Sequence, residues 1–163
     1  MMHLAIAVND RDNDLIPTLV SLFTWSKAYH CELIFSDGIT ITADPQGVRY
    51  LEDQVYDHYK WVALPLPQID ETAEAKIHKL ADAIVERHPK YDYLGATLGR
   101  FSATLEDSDK WYCSELCRYL LKDEIPHLND NRWITPDRIW KTVADDLDKR
   151  YPHYDKPSNY HRL

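Results

Sequence analysis

The stretch His30-Cys31-Glu32-Leu33-Ile34-Phe35-Ser36-Asp37-Gly38-Ile39-Thr40-Ile41-Thr42-Ala43 sets the architecture of this chain. Cys31–Ser36 reads as a strand, and Asp37-Gly38 is a strong hairpin signal because glycine tolerates the positive φ that such turns require. Ile39–Ala43 then returns as a second strand. Ile39 and Ile41 fall on one face, Thr40 and Thr42 on the other, as a period of two demands. The segment predicts an antiparallel hairpin with a polar face and an apolar face.

Further strands flank it. Leu4–Val8 is a short apolar run closed by polar residues, Gly47–Leu51 extends the meander, and Trp61–Leu66 ends in Pro65 and Pro67. Helical spacing marks Leu15–Trp25, with Pro17 in the first turn. It marks Asp70–Arg87 more clearly, through Ala73, Ile77, Leu80, Ala81, Ile84 and Val85. Asp70 or Thr72 caps that helix and Pro89 stops it. Tyr93–Phe101 reads as a short helix, Ser102–Lys110 as a polar loop and Tyr112–Leu121 as another helix. Thr135-Pro136 opens the last helix as a cap followed by a first-turn proline. Residues 151–163 read as a loop-like tail. Strands come first and helices follow, which predicts an α+β fold with an antiparallel sheet.

A length of 163 residues suits one domain spanning 1–163, and 44% hydrophobic residues suffice for a core. Four glycines leave Gly95-Ala96-Thr97-Leu98-Gly99 as the nearest approach to a phosphate loop, and it lacks the Lys-Ser/Thr ending. A net charge of −8 argues against nucleic acid and anionic membranes as partners. No apolar stretch reaches membrane-spanning length, and the N-terminal apolar run lacks the form of a signal peptide, so the expected location is cytoplasmic. Three cysteines, Cys31, Cys113 and Cys117, do not make a paired disulfide framework. Their spacing fits no compact zinc motif, so neither a metal nor another cofactor is expected.

The chemistry concentrates in Trp111-Tyr112-Cys113-Ser114-Glu115-Leu116-Cys117. Cys113 stands at the predicted start of a helix, where the unpaired N–H groups favour a thiolate. It reads as the solvent-accessible thiol, and Cys117, one turn on, as the core thiol. A nucleophile and a buried structural cysteine are both open readings of Cys113. His30 and Glu32 lie on one face of their strand, so the carboxylate is placed to orient the imidazole and stabilise its charged form. The other reading of both is as ordinary strand residues. Thr42, across the hairpin, is the alternative orienter.

These residues resemble a known family. His30–Gly38 is similar to the histidine block, and Tyr91-Asp92-Tyr93-Leu94-Gly95 with Trp111–Leu116 to the cysteine block, of the permuted papain-like proteins of the NlpC/P60 superfamily. Its YiiX-like hydrolases and related phage and bacterial proteins are the nearest in pattern. Thr135-Pro136 resembles the closing segment. The order His then Cys is the permuted one. The resemblance implies a cysteine-bearing helix packed on an antiparallel sheet that carries the histidine. It implies Cys113 as nucleophile, His30 as general base and a polar third residue, here Glu32 or else Thr42. Tyr93 would line the site or pack in the core. The implied substrate is a peptide, amide or acyl compound. An acyltransferase and a non-catalytic protein retaining the fold are the alternatives, and a phage origin is compatible with the pattern.

Overall fold

The computed structural model describes residues 1–8, 27–98, 110–129 and 134–153. The helix expected over Leu15–Trp25, nearly all of the polar loop expected over Ser102–Lys110, and residues 154–163 of the tail lie outside them. Five antiparallel strands form the main sheet: β1 (His3–Val8), β2 (Ala28–Ile34), β3 (Thr40–Asp44), β4 (Gly47–Leu51) and β5 (Trp61–Pro65). Their order is β4-β3-β2-β1-β5. Among the described residues four α-helices follow: α1 (Glu71–Val85), α2 (Tyr93–Leu98), α3 (Cys113–Leu121) and α4 (Pro136–Arg150). The fold class is α+β, as the segregation of strands and helices predicts.

Local chemistry explains most boundaries. The Asp70 carboxylate accepts the Ala73 N–H at 2.8 Å and so caps α1. The Thr135 hydroxyl accepts the Arg138 N–H at 3.3 Å, and Pro136 takes the first turn of α4. The turn after β2 differs from the predicted two-residue form. Phe35 N–H donates to the Ile39 carbonyl at 2.8 Å, so Ser36, Asp37 and Gly38 make a three-residue loop, with Gly38 at φ +91°. Strand β2 also begins earlier than expected, at Ala28, which places His30 inside the strand rather than at its start.

Leu4, Ile6, Leu33, Ile41 and Leu64 from the sheet share one core with Leu116, Leu120, Ile139 and Val143 from α3 and α4. Helices α3 and α4 both pack on β2, and α1 packs against α3 and β4. The sequence pattern placed Thr40 and Thr42 on an ordinary polar face, but both are fully buried. A short parallel pair, β6 (Lys90–Tyr91) and β7 (Lys110–Trp111), interrupts the expected loop just ahead of α3. It ties the Tyr91-Asp92 segment to the start of the cysteine helix.

Gly47 holds this region to the sheet. Its φ is +101°, and an added Cβ would lie 2.6 Å from the Pro89 carbonyl oxygen, which accepts the Val48 N–H at 3.3 Å. Both the backbone conformation and the close approach require glycine. Gly47→Ala is expected to cost about 1–3 kcal/mol, read as a lower midpoint in urea unfolding.

Candidate active site

Cys113 is the first residue of α3, and Tyr112 ahead of it is extended and makes no side-chain cap. The Cys113 amide therefore lies at the positive end of a nine-residue helix. The Ser114 hydroxyl donates to the Ile134 carbonyl at 2.7 Å, which fastens this first turn to the segment leading into α4. Against expectation, Cys113 is not the exposed member of the pair: it is 4% exposed and Cys117 is 1% exposed. The helix packs face-down on β2, so the thiol points to the sheet rather than to water.

The sheet is shaped to receive it. The β2–β3 ladder has two residue pairs, Leu33↔Ile41 and Ile34↔Thr40, so Cys31 and His30 lie beyond its end. Beside them, pairing with β1 slips between Ala7↔His30 and Val8↔Ala28, which leaves Tyr29 as an extra residue. Such a bulge re-aims neighbouring side chains. At this opened edge the Cys31 thiol and backbone and the His30 imidazole act electrostatically on the Cys113 sulfur.

The electrostatics follow from these contacts. The hydrogen bond from the Cys31 thiol is the largest effect that holds the Cys113 thiol well below its usual range. Burial opposes it, and the charge and hydrogen bond of His30 reinforce it. Burial also pulls the His30 pKa down, but the Cys113 charge and hydrogen bond, followed by Glu32, outweigh it and push His30 up to about 10. The two shifts agree in sense: a thiolate facing an imidazolium. Cys31 moves the other way, pushed up by burial and by its cysteine neighbours, so it stays a neutral donor. All three cysteines are free thiols.

On one side of His30, Nε2 lies 3.1 Å from Glu32 Oε1 and 3.1 Å from Thr42 Oγ1. Glu32 and Thr42 thus touch the same nitrogen. Glu32 is 4% exposed, and its second oxygen accepts the Tyr56 hydroxyl at 2.9 Å. Trp61 stands edge-on to both His30 and Tyr56, with centroids 6.0 and 5.0 Å away. These aromatics confine the imidazole.

Tyr93 belongs neither to the core nor to this cluster of contacts. It is 60% exposed at the start of α2, with its ring edge-on to Tyr91 at 4.9 Å. The tyrosine near the thiol is Tyr91, whose hydroxyl is pushed up by burial and then by the Cys113 and Cys31 charges. Asp92 is buried and structural: its Oδ1 accepts the Gly95 N–H at 2.9 Å, and a Cβ on Gly95 would collide with this carboxylate.

Sequence patterning missed three contributors. Alternation put Cys31 on the face away from His30, yet it reaches Cys113 because the thiol sits at the strand edge. Tyr56 lies in a segment without periodicity, and Tyr91 two residues from the tyrosine singled out. The Tyr91-Asp92-Tyr93 run compared with the cysteine block was the signal for Tyr91, and no pattern marked Tyr56. Among the described residues, no group of three or more His, Cys, Asp or Glu side chains could hold a metal ion. Nor is any helix among them long and apolar enough to cross a membrane. The chain matches no family model, and no curated protein matches it significantly.

Proposed function

We propose that the chain is a cysteine-nucleophile hydrolase of amide, isopeptide or ester bonds, built as a circularly permuted papain-like domain of the NlpC/P60 type. Cys113 is the nucleophile, His30 the general acid–base, and Glu32, with Thr42, its orienter. The observation that carries this reading is an imidazole whose Nε2 is held by a buried carboxylate and a threonine hydroxyl, beside a buried thiol that its charge holds below the usual range. A structural cysteine needs none of these partners. The layout of a cysteine helix on a histidine-bearing antiparallel sheet agrees with the family resemblance.

The Cys113 thiolate attacks the carbonyl carbon, and the carbonyl electron pair moves onto oxygen. The resulting oxyanion lies against the Cys113 amide at the helix start. The His30 imidazolium gives its proton to the leaving amine or alkoxide as the tetrahedral intermediate collapses to a thioester. His30, now neutral, takes a proton from water as that water attacks the thioester carbonyl. The thiolate then leaves with the sulfur electron pair, the acid is released, and the ion pair is restored. Glu32 keeps the imidazole in one tautomer and stabilises its charged form throughout. In an acyltransferase an amine or hydroxyl takes the place of water in the second half.

The reading is tested by mixing the protein with activated esters, quenching in acid and weighing the intact chain. The expected result is an acyl adduct on Cys113 that decays with release of the acid; transfer to an added amine would mark the acyltransferase. Absence of any adduct on Cys113, with the fold intact, would contradict both. Glu32 and Thr42 both meet the imidazole, which supports a catalytic over a non-catalytic reading of the site.

A further inference from the structure

Glu32 can orient His30 only if its own carboxylate is held by a donor other than His30 itself. A glutamate has three side-chain torsions, and a buried carboxylate oxygen without a donor is costly. The donor comes from outside the sheet, from residues 52–60 between β4 and β5. The Tyr56 hydroxyl lies 2.9 Å from Glu32 Oε2 and 2.8 Å from Thr40 Oγ1. A phenol has one proton. With that proton donated to Glu32, the Thr40 hydroxyl must donate to the phenol oxygen. The polar atoms thus form one directed chain, Thr40 to Tyr56 to Glu32, with His30 donating to the other carboxylate oxygen.

Resting on the proposed hydrolase reading, we propose that Tyr56 is a positioning residue of the Cys113–His30 pair, fixing Glu32 through its hydroxyl, with Thr40 fixing Tyr56 in turn. The two threonines of β3 then have separate duties: Thr42 meets the imidazole and Thr40 the phenol. Their complete burial suits this role, since a buried hydroxyl without a partner is disfavoured. Trp61, edge-on to Tyr56 at 5.0 Å, blocks rotation of the ring away from the carboxylate. Burial and then the Glu32 charge raise the Tyr56 hydroxyl above its ordinary range, so it stays a donor wherever the ion pair exists. The titratable groups that act on Tyr56 are Glu32 from β2 and Cys117 from α3.

Without the phenol hydroxyl the Glu32 carboxylate is no longer held against Nε2, the imidazolium loses part of its counter-charge, and the thiolate becomes harder to form. The test is the rate of Cys113 alkylation by iodoacetamide as a function of pH. Compared are the unaltered chain, Tyr56→Phe, Glu32→Gln, the double variant and Thr40→Val. Tyr56→Phe is expected to move the acid limb upward by about half to one pH unit, from the loss of one hydrogen bond to a charge. Glu32→Gln moves it at least as far, and Tyr56→Phe adds nothing in that background. A structural role for the ring would add its effect in both backgrounds. Thr40→Val moves the same limb the same way by less. A limb in Tyr56→Phe that superimposes on the unaltered chain, while His30→Ala still displaces it, overturns the role of Tyr56 and leaves the hydrolase reading standing. A limb that His30→Ala leaves in place overturns both. Should Tyr56→Phe fail to fold, an unmoved limb in Thr40→Val overturns the chain of donors.

Discussion

His30→Ala slows formation of the acyl adduct on Cys113 by about 10²–10⁴-fold, the range of a positioned acid–base group. The variant loses the imidazolium that favours the thiolate and the proton donor for the leaving group. Both losses act on one chemical step, so the effect falls on the rate of acylation rather than on binding. Cys113→Ala forms no adduct there at any pH. His30→Ala leaves Glu32 the Tyr56 hydroxyl as a donor, so the variant is compared only where it folds. Acylation is followed by intact-mass measurement after acid quench, with far-ultraviolet circular dichroism as the control. An unchanged acylation rate in His30→Ala would remove the histidine from the reaction.

Glu32→Ala lowers the stability of the fold by about 1–3 kcal/mol, because it leaves the buried Tyr56 hydroxyl without its carboxylate acceptor and the imidazolium with Cys113 as its remaining counter-charge. Nε2 of His30 keeps Thr42. The loss depends on pH in a defined sense. His30 is raised in the folded protein to about 10 from an unfolded value of 6.5. A group raised on folding contributes its stability fully below the unfolded pKa and loses it as pH rises through the folded one. The part of the penalty that Glu32 owes to His30 is therefore largest below about pH 6.5 and shrinks toward pH 10. Glu32→Gln keeps an acceptor oxygen for either neighbour and costs less. Urea unfolding at several pH values measures this, and a penalty that grows with pH would contradict the pairing.

Much of this fold is legible in the residues because local signals and burial agree. Asp70 and Thr135-Pro136 mark two helix starts by capping chemistry alone, and the observed side-chain bonds are the ones that chemistry requires. The hairpin around Gly38 was readable as a hairpin, but its loop length was not. One residue more or less depends on whether Phe35 or its neighbour closes the turn, which composition does not encode. The short β6–β7 pair is too brief for any periodicity to show.

The site divides in the same way. His30 and Glu32 sit two apart on a strand, so their shared face follows from the pleat. Thr42 follows from the hairpin. The burial of Cys113 does not follow from its place at a helix start, because exposure depends on which way the helix lies on the sheet. The reach of Cys31 to Cys113 depends on where β3 leaves β2, and a register ending is invisible in a single strand. Tyr56 contributes through tertiary contact from an irregular segment, the kind of contact patterning cannot see.

The most direct test of the account is the pH dependence of Cys113 alkylation by iodoacetamide, with the labelled residue identified by peptide mass spectrometry, in the unaltered chain and in His30→Ala. The account predicts an acid limb well below that of an ordinary thiol, and a second change near pH 10 as His30 loses its proton. In His30→Ala the first moves up, with only the Cys31 contacts left to lower it, and the second vanishes. A Cys113 that titrates as an ordinary thiol in the unaltered chain, with a profile indifferent to His30→Ala, would contradict it.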